Sequence, residues 1–214
     1  ETILDVDALA AEEGKEWVYG GMSCLPPDGT RCMVYLSDGG KDARVAREFD
    51  LETLDFVPQS ENPFELPESQ GGASWVDRDT LLISRDFGED TVTDSFYPFT
   101  TREWKRGTPI KEAKEIFRGE KSDVSAGAYL LRDGDAVIHG RVAYRGVSFH
   151  EREYFYEMGG EWVKLDLPKK AGPYGIIDGR ILFSTDVDWE TQGKTFPADS
   201  LVSADLEEWK ADPN

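Results

Sequence analysis

Cysteine and histidine are scarce in this chain, with two of each among 214 residues. That is too few for a zinc cage at the usual ligand spacing, and too few for a disulfide scaffold. Long apolar runs are missing as well. No stretch approaches the roughly 18 consecutive apolar residues that a membrane-spanning helix needs, so no membrane partner is expected. Positive charge is in short supply: 24 Lys and Arg stand against 43 Asp and Glu, a formal net charge of -19. Such a surface repels a phosphate backbone rather than neutralising it, which argues against nucleic acid as a partner. The chain opens on Glu1 with neither an initiator Met nor a charged-then-apolar leader, so the expectation is a trimmed chain. The compartment stays open, with the cytoplasm favoured over the periplasm.

What is present suits a folded core. Hydrophobic residues make up 39% and aromatics 12%, with 6 Trp, 8 Tyr and 11 Phe, enough for one sizeable domain over 1–214 without staples. The chain also repeats itself. Four segments share an acidic tight turn, an apolar run and a small residue: Asp28-Gly29 before Cys32 to Ser37, Asp77-Arg78-Asp79 before Leu81 to Ser84, Asp133-Gly134-Asp135 before Val137 to Gly140, and Asp178-Gly179 before Ile181 to Ser184. The turn aspartates are 49, 56 and 45 residues apart, a period that fits a unit of four short strands. An Asp-Gly pair between apolar runs favours a tight hairpin, because glycine tolerates the positive φ that such turns require.

Ahead of each turn lies a run of small residues: Tyr19-Gly20-Gly21-Met22-Ser23, Gly71-Gly72-Ala73-Ser74, Ser125-Ala126-Gly127-Ala128 and Ala171-Gly172-Pro173. Sheets converging on a common axis crowd their innermost strands, so small residues belong there and bulky ones between neighbouring sheets. The pattern predicts an all-β molecule, a β-propeller with about four four-stranded antiparallel blades, at about 17–58, 71–118, 123–167 and 171–211. One helix is expected at about 5–13, where an acidic start and good helix formers precede Gly14.

These residues resemble a known family. The opening Glu1-Thr2-Ile3-Leu4-Asp5-Val6-Asp7-Ala8-Leu9, the later Cys24-Leu25-Pro26-Pro27-Asp28-Gly29 and the segment Trp104-Lys105-Arg106-Gly107-Thr108-Pro109 look like the N-terminal β-propeller of prolyl oligopeptidase-type serine peptidases. The resemblance implies a seven-bladed propeller of which these four blades are the first half, a partial β-propeller. It also implies a C-terminal α/β-hydrolase domain as partner, which supplies Ser, Asp and His and which this chain lacks, and an oligopeptide substrate cleaved after proline. The propeller would cap and filter access to that site. The family's nucleophile sits in a Gly-x-Ser-x-Gly turn. No such motif occurs here, so the chain by itself is expected to be inactive.

The remaining candidates carry bland readings. His139, on an apolar strand, reads as a hydrogen-bonded core histidine, and His150 as a strand-start residue; neither has a second ligand at metal spacing. The acids Asp86, Glu89, Asp90 and Asp94, and Asp186, Asp188 and Glu190, could suggest a calcium loop or a glycosidase pair, but turn-forming, solvated acids are the simpler reading. If the first turn is Asp28-Gly29 alone, Cys24 opposes Met33 and the two sulfurs face opposite sides, leaving two packed thiols. A longer, bulged turn would put them on one face. Trp17, Trp75, Trp104, Trp162 and Trp209 recur at strand positions suited to inter-blade packing. No catalytic, cofactor-binding or metal-ligating residue is assigned, and no cofactor is expected. An open arc of blades would expose two apolar blade faces and self-associate through them. The segment from Asp205 to Asn214 reads as a strand turn followed by half a fourth strand. The alternative to a peptidase propeller is a self-contained four-bladed module that binds a protein or glycan.

Overall fold

A computed structural model describes residues 2–213, so Glu1 and Asn214 lie outside the described residues. The first element is a helix, α1 (Val6–Glu13). Asp5 caps it by accepting from the Ala8 amide at 2.9 Å, and Gly14 ends it with φ of 64°. Strands follow almost without interruption. The first sheet holds β1 (Trp17–Cys24), β2 (Arg31–Asp38), β3 (Arg44–Asp50), β4 (Asp55–Phe56) and β5 (Glu65–Ser69). The second holds β6 (Gly72–Asp77), β7 (Thr80–Ser84), β8 (Thr100–Lys105) and β9 (Lys114–Arg118). The third holds β10 (Ser125–Arg132), β11 (Ile138–Gly146), β12 (Arg152–Met158) and β13 (Glu161–Lys164). All neighbouring pairs are antiparallel.

The last repeat departs from this pattern. It pairs β14 (Ala171–Ile177) with β15 (Arg180–Thr185), projects a separate hairpin of β16 (Trp189–Thr191) and β17 (Lys194–Phe196), and closes with β18 (Ser200–Asp205). In place of a fourth strand comes a short helix, α2 (Leu206–Ala211). This corrects the reading of that segment as a strand. Asp205 accepts from the amides of both Glu207 and Glu208, and Leu206 and Trp209 fall on one buried helical face. The first repeat also runs past 58, because its fourth strand is split. Pro58, a single 3-10 turn at Gln59–Glu61 and Pro63 interrupt the pairing before β5 resumes it against β3.

The first hairpin differs from the two-residue turn expected at Asp28-Gly29. Pro26 and Pro27 cannot donate to a ladder. Pairing stops where the Leu25 amide meets the Arg31 carbonyl at 2.7 Å, and the register places Cys24 directly opposite Cys32. A shift of one residue turns a side chain to the other face. The cysteines are accordingly a disulfide, with Cα atoms 3.9 Å apart, and not two packed thiols. Asp178 and Gly179, both at positive φ (49° and 70°), form the two-residue hairpin that the motif predicts.

Small-residue strands β1, β6, β10 and β14 lie side by side and bulky residues fill the gaps between sheets. Between the first and second sheets, Met33, Phe64 and Leu66 pack against Trp75, Leu81, Ile83 and Trp104. Phe117 meets Phe155 and Trp162 between the second and third. Leu131, Val142 and Tyr156 meet Ile181, Phe183 and Trp209 between the third and fourth. Trp17 is the exception among the five tryptophans. With Val34, Leu36 and Phe49 it faces away from the second sheet, under Leu4, Val6, Leu9 and Ala10 of the N-terminal segment. The outer face of the first sheet is therefore covered, so one open blade face remains where two were expected. On the fourth sheet, Ile177 and Leu201 are more than half exposed.

A buried polar clamp ties the first two sheets. Glu48 is 1% exposed and accepts from Arg106 Nη1 at 2.7 Å, Arg106 Nη2 at 3.0 Å and the Phe64 amide at 2.8 Å. Arg31 approaches the same carboxylate at 3.7 Å. Further along, Asp123 receives two bonds from Arg145 on β11, and Arg132 donates to the carbonyls of Trp75 and Val76 across the sheet boundary.

Candidate functional site

The strand order gives the molecule two unlike sides. On one, the hairpin side, β1, β6, β10 and β14 turn into their second strands through short connections. On the other lie the connections 39–43, 85–99, 147–151 and 186–199, of which 85–99 and 186–199 are long. Exposed aromatics gather on this long-loop side: Phe96 is 74% exposed, and Phe149 is 84% exposed. Apolar side chains in this state on connecting loops are candidates for contact with a partner.

The two histidines stand at opposite ends of the third sheet. His139 lies at the hairpin side, where its Nε2 donates to Asp133 Oδ2 at 2.7 Å. Asp133 Oδ1 accepts from the amides of Asp135 and Val137, so this carboxylate organises the whole turn. The bond from His139, before any other cause, holds the Asp133 carboxyl below its ordinary range. His139 is thus a half-buried residue at the start of β11, hydrogen-bonded as expected but outside the core. His150 sits exposed in the long-loop connection after β11.

The acidic candidates close their own loops. Asp86 accepts from the Gly88 amide at 2.7 Å, Asp188 from the Ala198 amide at 2.9 Å, and Asp90 approaches Arg118 at 3.6 Å. Among the described residues no three His, Cys, Asp or Glu side chains are gathered as a metal site.

Sequence reasoning missed a cleft of about 520 Å³ between the third and fourth sheets on the long-loop side. Phe149, His150, Arg152 and Tyr154 line it from the third sheet and its loop, Lys169 and Lys170 from the connection to the fourth, and Gly172 and Asp186 from the fourth. The connection is held in place by its backbone. The Arg152 amide donates to the Lys169 carbonyl at 2.7 Å, and the Asp186 amide donates to the Lys170 carbonyl at 2.9 Å. Gly172 is required at this point, since a Cβ there would stand 2.5 Å from the Tyr154 ring. Behind the wall, burial first and then the neighbouring Tyr154 push the Tyr129 hydroxyl well above its ordinary range, keeping it neutral. The Lys169-Lys170 pair, in a chain short of cations, was the signal available in the sequence.

Comparison with known proteins follows the same outline. Residues 1–162 match the family described as "Prolyl oligopeptidase, N-terminal beta-propeller domain". A protein of Sinorhizobium fredii named an uncharacterized peptidase is 41% identical over 217 residues, covering 99% of this chain and 30% of that protein. Another uncharacterized peptidase, from Rickettsia prowazekii, is 27% identical, covering 95% of this chain and 29% of its own length. This chain therefore spans about 30% of the length of the curated relatives it matches. Among solved structures, a post-proline cleaving enzyme from Rickettsia typhi superimposes with a TM-score of 0.87 at 26% identity, over 99% of this chain and 32% of that one. Oligopeptidase B from Leishmania major shares the fold, with a TM-score of 0.64 at 13% identity over 99% of this chain and 28% of that one.

Proposed function

This chain belongs to the family of the prolyl oligopeptidase N-terminal β-propeller domain, and from that premise we propose that it serves as the first blades of the substrate-filtering propeller in a serine peptidase that cleaves short peptides after proline. The observation that carries this reading is the superposition on the Rickettsia typhi post-proline cleaving enzyme, which extends over 99% of this chain and only 32% of that one. In this reading the remaining two thirds supply further blades and an α/β-hydrolase domain with the Ser, Asp and His that act on the peptide bond through an acyl-enzyme. The blades form a wall and a filter, admitting oligopeptides and excluding folded proteins, and the 214 residues alone turn over nothing.

Topology supports placing the hydrolase partner on the long-loop side. Every four-stranded sheet returns the chain to the side where its first strand began, and β1 begins there. The exposed Phe96 would then meet that partner. In its absence, the uncovered face of the fourth sheet, with Ile177 and Leu201, is where copies of this chain would associate. Light scattering that finds a clean monomer at high concentration would remove that part of the proposal.

The main test is an assay of this chain and of a full-length relative on a short proline peptide carrying a chromogenic leaving group. Turnover is expected from the full-length protein only. Hydrolysis by the 214-residue chain, or none by the full-length protein, would refute the assignment.

A further inference from the structure

One feature lies outside the peptidase reading, and it is electrostatic. With 43 acidic residues against 24 basic ones, an average cation in this chain has nearly two carboxylates available to it. Most arginines of the first three sheets use them. Arg31, Arg47, Arg106, Arg118 and Arg145 each hold a carboxylate at 2.6 to 3.2 Å. Around the cleft between the third and fourth sheets the pattern reverses. Arg152, Lys169 and Lys170 all line one opening, and among the described residues none of their side chains makes an ion pair within 4.0 Å or a side-chain hydrogen bond, although Lys169 acts on Glu153 at longer range. The Arg152 guanidinium lies 5.5 Å from the centre of the Tyr144 ring, which supports it without neutralising it. Asp186 is the one carboxylate on the wall. Among its lining side chains the opening therefore holds three cations against one carboxylate, on a molecule whose net charge is -19.

Unpaired cations in an acid-rich chain mark a place where an anion from elsewhere can replace the missing partner. A guanidinium offers two parallel donors to a carboxylate, and the two ammonium groups add point charges that follow the ligand. The volume, about 520 Å³, falls within the ordinary range for ligand sites and exceeds what a lone inorganic anion fills. Phe149 at the rim is 84% exposed and offers an apolar surface to whatever flanks the acids. Ala171, Gly172 and Pro173 keep the far wall free of long side chains.

We propose that this cleft is a receptor for an acidic peptide segment, with Arg152 taking one carboxylate bidentately and Lys169 and Lys170 taking a second. The cleft opens on the side proposed for the hydrolase partner, so the inference is tested on this chain by itself and not through peptidase activity.

Titration of the 214-residue chain with acetyl-tetraglutamate amide, followed by calorimetry and by amide shifts of residues 149–154 and 169–173, tests it. Saturable binding at low ionic strength is expected, weakening steeply with salt. Lys169→Ala with Lys170→Ala should weaken binding at least about tenfold, the loss of two charge-assisted contacts, and Arg152→Lys should weaken it through loss of the bidentate pair. Lys111→Ala with Lys114→Ala, just before and at the start of β9, changes net charge equally and should stay within about twofold, since its effect is long-range and screened. Equal weakening by the two double variants would overturn the proposal, as would equal binding of tetralysine. Inorganic phosphate binding as tightly as tetraglutamate would overturn the peptide assignment.

Discussion

Replacing Glu48 tests whether adjacent sheets are locked by a buried charge or by apolar packing alone. The carboxylate is 1% exposed and serves Arg106, Arg31 and the Phe64 amide together. In Glu48→Ala the Arg106 side chain, 16% exposed, and the Arg31 side chain, 9% exposed, are left buried with fewer partners, and the Phe64 amide loses its acceptor. Removing one member of such a buried pair costs about 3–5 kcal/mol. Set against a total stability of about 5–15 kcal/mol, that is a large fraction. For a chain of this size it corresponds to a fall in melting temperature of roughly 6–20 °C. The assay is urea unfolding followed by tryptophan fluorescence, because Trp75 and Trp104 sit in the same interface. The decisive comparison is with Glu48→Met combined with Arg106→Met. Desolvating two charges is costly, so an apolar pair of similar size should be less destabilised than either single change, and is often neutral. Single variants within about 1 kcal/mol of the parent, the range of exposed pairs, would show that the clamp contributes nothing beyond packing.

The disulfide and the N-terminal helix carry further expectations. The Cys24–Cys32 bridge spans a sequence separation of only 8, so loop-closure entropy assigns it about 2–3 kcal/mol; urea curves with and without reductant should differ by that amount, and coincident curves would contradict it. Glu13 anchors α1 by accepting from both Arg47 Nη atoms and from the Trp17 indole, and the Arg47 bond, as the leading cause, holds its carboxyl below the ordinary 4.5. A lowered folded-state pKa contributes stability above the unfolded value that is lost as pH falls through the folded one, so α1 should loosen as pH falls below the ordinary carboxyl range. Amide exchange over 6–13 should accelerate there, and Arg47→Ala should produce the same loosening at neutral pH; unchanged protection in both would refute the anchor.

The repeated arrangement was legible because its causes are local. Glycine and alanine runs, acidic turns and apolar strands recur in the same order, and crowding at an axis dictates which strand is innermost. What escaped depends on single offsets and on distance. The disulfide hung on one residue of register at the first hairpin, set by Pro26 and Pro27 and not by the Asp28-Gly29 pair. The terminal helix escaped because Leu206 and Trp209 fit either a short strand or one helical turn, and the Asp205 cap decides between them. Trp17 read like the other tryptophans, yet the N-terminal helix folds back over it. Of the candidate site, the Lys169-Lys170 pair was visible, but His150 and Arg152 join it only across a sheet boundary. Nothing in sequence spacing shows whether a cation has found a carboxylate.

The hydrophobic clusters described above have a mechanical consequence. Each principal cluster couples just two consecutive sheets, so the molecule behaves as a row of linked units whose free energy is a sum over nearest-neighbour junctions. Opening the second or third sheet breaks two junctions at once, whereas peeling away the fourth breaks one. In these 214 residues by themselves, fraying should begin at the fourth sheet and advance inward, giving local opening energies that climb along the row towards the disulfide-pinned and helix-capped first sheet.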